Sequence, residues 1–150
     1  MPRIFSIGLF YNLKSIFIRE FCRMNLNDIS YSIRGCAFKV HSNLGPGMFE
    51  AAYESALAHE LKKSRHGVQT QLALPFEYDD KIMKVGYRID MLVDNQIILE
   101  IKSVECLADI HFKQLTTYLK LSDKRLGFLM NFNSISLLDG VSMFRIVNKF

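Results

Sequence analysis

The alternation of apolar and polar positions divides the chain into helical and extended stretches. Ile29, Ile33, Ala37, Val40 and Leu44 recur three to four positions apart, the spacing of one helix face. Asn27 or Asp28 offers a capping side chain ahead of them, and Gly45-Pro46-Gly47 breaks the helix. A second helix carries Phe49, Tyr53, Leu57 and Leu61 on one stripe, with Glu50, Glu54, Lys62 and Lys63 around it. Gly67 ends it.

The period then changes. Residues 68–78 (VQTQLALPFEY) read as a strand, with Pro75 marking an edge or a bulge. Asp79-Asp80-Lys81 is a turn, residues 82–93 a second strand, Asp94-Asn95 another turn, and residues 96–103 a third strand. Strands joined this closely predict an antiparallel meander. A helix is expected from about Ala108 to Leu121, its face combining Ile110, Leu115 and Leu119 with His111, Gln114 and Tyr118. Leu126–Phe132 reads as a buried strand, and short strands are expected near 135–138 and 142–147. The expected fold is α/β, a central mixed sheet containing the meander and flanked by helices.

A chain of 150 residues, 49% of them hydrophobic and 23% charged, is long enough to enclose one core. Cys22, Cys36 and Cys106 are scattered, with no zinc spacing and no disulfide framework, which fits a reducing cytoplasm. The net charge is +4. However, residues 1–23 hold Arg3, Lys14, Arg19 and Arg23 against Glu20 alone, so residues 24–150 carry only about +1. Net charge therefore does not identify a nucleic-acid partner. Residues 1–23 are apolar and aromatic, interrupted by Lys14, and lack a small-x-small cleavage site. They read as an N-terminal extension, a poorly ordered arm or a start-site artefact before Met24, rather than a signal peptide or membrane span. No membrane association is expected of the domain at 24–150.

The candidate chemistry lies in the meander. Side chains alternate along a strand, so Glu100 and Lys102 share a face while Ile101 points away. A three-residue turn through Asp94-Asn95-Gln96 would pair Val93 with Ile97 and bring Asp90 opposite Glu100, so that Asp90, Glu100 and Lys102 converge on one face. A two-residue loop would instead set Asp90 opposite Leu99 and separate the carboxylates. Two buried carboxylates on adjacent strands repel, at a cost of several kcal/mol unless a cation compensates. Oxygen ligands from Asp90, Glu100 and a backbone carbonyl suit Mg2+ or Mn2+. Such an ion would activate water toward a phosphodiester, with Lys102 orienting the water and stabilising developing charge. The plain alternative is an Asp/Glu/Lys salt-bridge cluster on an exposed sheet face.

Asp90…Glu100-x-Lys102 resembles the PD-(D/E)xK nuclease superfamily, and Gln114-x-x-x-Tyr118 resembles the Q-x-x-x-Y motif of its RecB-like branch. Gly47-Met48-Phe49-Glu50-Ala51-Ala52-Tyr53 is similar to the signature of the small bacterial GxxExxY proteins, as are GCAFKVHSNLGPG, LEIKSVE, IHFKQLTTYLKL and LGFLMNF. The similarity spans about residues 24–148; Ile89 stands where the superfamily's name has proline. The resemblance implies a restriction-endonuclease-like core and a Mg2+-dependent nuclease acting on DNA in preference to RNA. Asp90, Glu100 and Lys102 would be catalytic, and Asp90, Glu100 and Glu50 would serve the metal. A non-catalytic nucleic-acid-binding or assembly module on the same fold is the alternative, and dimerisation would let a small domain span both strands of a duplex.

Each flanking residue has two readings. Glu50 is a metal or water-mediated ligand, or a charge favouring its helix N-terminus. Tyr53 reads as packing, and Glu54 as solvated or paired with a cation. Gln114 and Tyr118 share a helix face and support the site or contact substrate. His111 is a structural or supporting group. Arg88 faces phosphate or pairs with Glu77 or Asp79. Lys113 and Lys120 read as exposed helix residues, and Asn131 and Asn133 as strand ends.

Overall fold

A computed structural model describes residues 24–149 of the chain; residues 1–23, Cys22 included, on which the expectation of an N-terminal extension falls, lie outside them. The elements run α1 (Leu26–Leu44), α2 (Glu50–Lys63), β1 (Val68–Tyr78), β2 (Lys81–Val93), β3 (Ile97–Lys102), α3 (Asp109–Ser122), β4 (Leu126–Asn131) and β5 (Met143–Val147). The strands form one sheet in the order β1-β2-β3-β4-β5. All neighbours are antiparallel except β3 and β4, which run parallel across the α3 crossover. This is the expected mixed sheet with its meander.

The cap of α1 is Asn25 rather than Asn27 or Asp28: its side chain accepts from the Asp28 N–H at 3.0 Å. Asp28 sits in the first turn instead, where its charge complements the helix dipole. The helix ends at Gly45, whose φ of 65° suits glycine and whose N–H reaches His41 O. Tyr53 then fixes the Gly45-Pro46-Gly47 turn. Its buried ring stacks on Phe132 at 4.8 Å, while its hydroxyl donates to Gly45 O and accepts from Met48 N. Phe49 leaves the expected stripe. It is 88% exposed because it precedes the helix as its N-cap. The helix stops at Lys63, before Gly67.

Helices α1 and α2 cover one sheet face, packing Ile29, Ile33, Val40, Tyr53, Leu57 and Leu61 against Met91, Val93, Leu99, Ile101, Phe128 and Met130. Helix α3 covers the other through Leu115, Tyr118 and Leu119 against Leu92, Ile98 and Leu129. Ile110, expected to join them, is exposed at the first turn of α3. Beyond β4 the segment 135–138 is not a strand; it turns, and Leu137 alone drops into the core.

Two features of the sheet position the site. The β2–β3 turn contains three residues, giving Val93↔Ile97, Leu92↔Ile98 and Met91↔Leu99. Asp94 fastens this turn: its carboxylate accepts from Gly67 N at 2.8 Å and lies 2.6 Å from His66 Nδ1. His66 Nε2 in turn lies 2.7 Å from Ser32 Oγ on α1. Second, the β1–β2 ribbon turns over at Gln71 and Asp90. Met91 and Val93 pack toward α1 and α2, whereas Ile89, its partner Leu72, and Leu74 pack toward α3. Gln71 has φ of 52° at this crossover. Nearer the tip the register shifts between Leu74 and Phe76, beside Pro75, and Gly86 lies against Leu74 there. A Cβ on Gly86 would stand 2.4 Å from Leu74 O, so only glycine fits. Pro75 thus marks both an edge strand and a bulge.

Candidate active site

Backbone pairing between β2 and β3 stops at Met91↔Leu99, so Asp90 is the first β2 residue beyond the shared ladder. Its side chain continues the connection, with Oδ2 accepting from Ile101 N–H at 2.8 Å. The register brings Asp90 level with Glu100, as the three-residue turn requires. Glu100 is buried at 3% exposure on a strand that is otherwise apolar up to Lys102. Lys102 Nζ stands 3.4 Å from Glu100 Oε1. Glu100 Oε2 is buried without a hydrogen-bond partner.

The electrostatics follow from this placement. Burial pushes the Glu100 carboxyl up to about 8; the Asp90 charge adds to the rise, and Lys102 opposes it. Asp90 is also raised, chiefly by burial, against the Ile101 hydrogen bond and the Lys102 charge, which favour its ionised form. Tyr118 on α3 is held at about 12 by burial, then by the Glu100 and Asp90 charges, so its hydroxyl stays protonated. This tyrosine is 4% exposed and meets Tyr87 edge-on at 5.6 Å.

On the α2 side of Asp90 lies an open cavity of about 750 Å3 lined by Glu50, Glu54, Gln71, Asp90 and Ser103, among others. Glu50, the first residue of α2, accepts from Ser103 N at 3.2 Å, and Ser103 Oγ donates to Met48 O at 2.6 Å. Glu54 follows one turn later and accepts from Gln71 Nε2 at 2.8 Å. Burial raises Glu54, with added repulsion from Asp90 and Glu50. Gln71 lines the cavity together with Asp90. Glu100 and Lys102 do not line this cavity; alternation along β3 puts them on the α3 side with Ile98. Asp90 lines the cavity, so the three groups do not share one sheet face as alternation predicts; the ribbon turns over at this residue, and its bond from Ile101 N–H holds it beside β3.

Asp90, Glu100, Lys102, Glu50 and Tyr118 are therefore drawn to one end of the sheet. Gln114 is half-buried one turn before Tyr118. His111, at the third position of α3, accepts from the backbone N–H of the N-cap residue Ala108 through Nδ1 at 3.0 Å. Arg88 is exposed opposite Ala73; among the described residues its expected ion pair with Glu77 or Asp79 does not form. Asn131 ends β4 and clamps Val104 through both side-chain atoms. Glu54, expected to be solvated or paired with a cation, is instead half-buried and bonded to Gln71, and Gln71 and Ser103 line the cavity without having been singled out in the sequence. The four-residue step from Glu50 to Glu54 could have signalled the first, but nothing local signals the others.

Among the described residues, no group of three or more His, Cys, Asp and Glu side chains forms a ready-made cation cage. The donor set nonetheless fits a hard divalent ion. Glu100 Oε2 has no partner beside a second carboxylate, and ions such as Mg2+ use one or two carboxylates and keep several waters.

A family model for the PD-(D/E)XK nuclease superfamily matches residues 27–144, and the chain belongs to that superfamily. No curated protein and no solved structure matches it. Membership accords with the restriction-endonuclease-like α/β fold and points to nuclease activity on nucleic acid, for which members of the superfamily typically use divalent metals. No helix among the described residues is long and apolar enough to cross a membrane.

Proposed function

We propose that this protein is a Mg2+- or Mn2+-dependent nuclease that hydrolyses phosphodiester bonds of DNA. The observation that carries the proposal is Glu100. A carboxylate is buried beside Asp90 with one oxygen unpartnered and a proton affinity raised to about 8. That arrangement is unfavourable by itself and becomes favourable once a cation occupies it. Asp90 and Glu100 would hold the ion, and Glu50 would add negative charge from the cavity side. The bound ion supplies Lewis acidity toward the phosphoryl oxygens and a more acidic water.

Lys102, anchored to Glu100 Oε1, directs its ammonium group at the same end of β3, where it orients the water and offsets negative charge on the phosphate. Water oxygen forms the new bond to phosphorus and gives up its proton to solvent, the ester P–O bond breaks, and the leaving oxygen takes up a proton from solvent water. Tyr118, protonated throughout, and Gln114 support the site from α3. The Gly47–Tyr53 run and the Gln114…Tyr118 pair favour a GxxExxY protein of the RecB-like branch.

A second reading, a binding module without turnover, is favoured by the lack of a three-ligand cage among the described residues. Cleavage of DNA and RNA by the full chain with Mg2+ or Mn2+, compared with Asp90→Ala and Lys102→Ala, separates the two. The nuclease reading expects each variant to lose at least about 100-fold in rate and calorimetry to show metal binding that Asp90→Ala removes. Equal rates in all three proteins, or no cleavage of either polymer, would leave the binding module.

A further inference from the structure

We infer that the β1–β2 ribbon beyond Asp90 is a DNA-binding arm that lies in the major groove of a duplex and presents the strand to the carboxylates. The inference rests on the nuclease reading and narrows its substrate to double-stranded DNA. Because β2 pairs with β3 only over Met91–Val93, its stretch from Lys81 to Ile89 has β1 on one side and no strand on the other. That stretch contains Lys81, Lys84 and Arg88 and no acid. All three cations are exposed, and among the described residues none takes part in an ion pair. The acids of the ribbon, Glu77, Asp79 and Asp80, sit on β1 and at the tip. The free edge is therefore the basic one, and it runs directly into the strand segment that carries Asp90.

Shape agrees with charge. From its last pair, Tyr78↔Lys81, to Asp90 the arm extends on the order of 25–30 Å at about 3.3 Å per residue, close to one turn of B-DNA. The major groove of B-DNA, about 12 Å wide, admits a two-stranded ribbon, whereas the A-form groove of RNA is too narrow for side chains to enter. The base of the arm is braced, with Tyr87 meeting both Phe76 and Tyr118, so contacts along it are transmitted to the helix facing Glu100. Near the tip, Tyr78 and Ile82 are 68% and 58% exposed, placed for apolar contact with base edges.

The test is fluorescence anisotropy of a labelled 20-base-pair DNA duplex with the full chain in EDTA, titrated across NaCl concentration. The variant Lys81→Gln/Lys84→Gln/Arg88→Gln is compared with wild type and with a control, Lys113→Gln/Lys120→Gln, on the exposed side of α3. Thermal unfolding of all three checks that the fold is kept. The expected result is a loss of at least about 30-fold in affinity for the arm variant. Its log–log salt slope should also be shallower by about 3, near one for each phosphate contact removed. The control should match wild type, and an RNA duplex should bind wild type more weakly than DNA. An arm variant within twofold of wild type in affinity and slope, an equal loss in the control, no duplex binding by wild type, or tighter RNA binding overturns the inference. A duplex-binding arm on a protein that never cleaves would sustain the inference and end the nuclease reading. Asp90-dependent cleavage undiminished in the arm variant would do the reverse.

Discussion

Glu100→Gln isolates the charge on which the site depends. The glutamine keeps the size of the side chain and removes its ionisation. In the metal-free protein the folded-state proton affinity of Glu100 lies near 8, above its ordinary value of 4.5. The folded state therefore binds this proton more tightly than the unfolded state. Its contribution to stability is full below about pH 4.5 and is lost as pH rises through about 8. At about 1.4 kcal/mol for each pH unit between those values, the loss approaches roughly 3–5 kcal/mol. The side chain is only 4% exposed, so little of this is screened by solvent. Urea unfolding in EDTA, followed by circular dichroism at pH 5, 7 and 9, measures the effect. Wild type should weaken across this range while Glu100→Gln changes much less, so that the variant is the more stable by several kcal/mol at pH 9. Against a total stability of about 5–15 kcal/mol, that difference is large. Millimolar Mg2+ at pH 8 should raise wild-type stability by mass action and leave Glu100→Gln unchanged. Parallel pH curves for the two proteins, or equal Mg2+ responses, would refute the account of a strained carboxylate awaiting a cation.

Three further outcomes follow from the fold. Tyr53→Phe keeps the ring stack on Phe132 but loses the hydroxyl bonds to Gly45 and Met48; urea unfolding should show a loss of about 1–3 kcal/mol. Asp94→Ala leaves Gly67 N and His66 without their acceptor, and should lower stability by about 2–4 kcal/mol. It should also weaken Mg2+ affinity by calorimetry, because the β2–β3 turn it fastens sets Asp90 against Glu100. Gly86→Ala drives a Cβ to 2.4 Å from Leu74 O. It should speed amide hydrogen exchange in the arm while exchange in β3 and β4 stays slow.

Much of this protein could be read along the chain because the controlling interactions are local. Helical spacing of Ile29, Ile33, Ala37 and Val40, the break at Gly45-Pro46-Gly47, and closely spaced strands are consequences of neighbouring residues. They place α1, α2 and the meander without knowledge of what packs where. The pairing of Asp90 with Glu100 was readable too, since one turn length sets that register. Local signals fail where distant segments decide. Asn25 rather than Asn27 caps α1, a shift of the kind that helix ends show when several polar residues compete. Phe49 has the spacing of a core residue yet precedes the helix it was assigned to. Near residue 135 no partner strand is available.

The site shows the same division. Asp90, Glu100 and Lys102 announce themselves as charges within apolar strands. Gln71 does not, because its position level with Asp90 depends on a register shift near Pro75 and Gly86. Counting back from the Tyr78↔Lys81 pair without that shift would put Asp90 opposite Gln69 instead. Glu54 likewise becomes a neighbour of Asp90 only when α2 docks against the end of the sheet, where Glu50 meets Ser103. The sequence by itself determined which residues are ionisable and that Glu100 and Lys102 share one face of β3, whereas the side of the sheet that Asp90 meets was set by the turn-over of the ribbon. Only the tertiary structure decided how deeply Glu100 is buried, which of its oxygens lacks a partner, and which side of Asp90 opens to a cavity. Proton affinity and cation preference depend on the solvent excluded by packing, and residues far apart in the chain do that excluding.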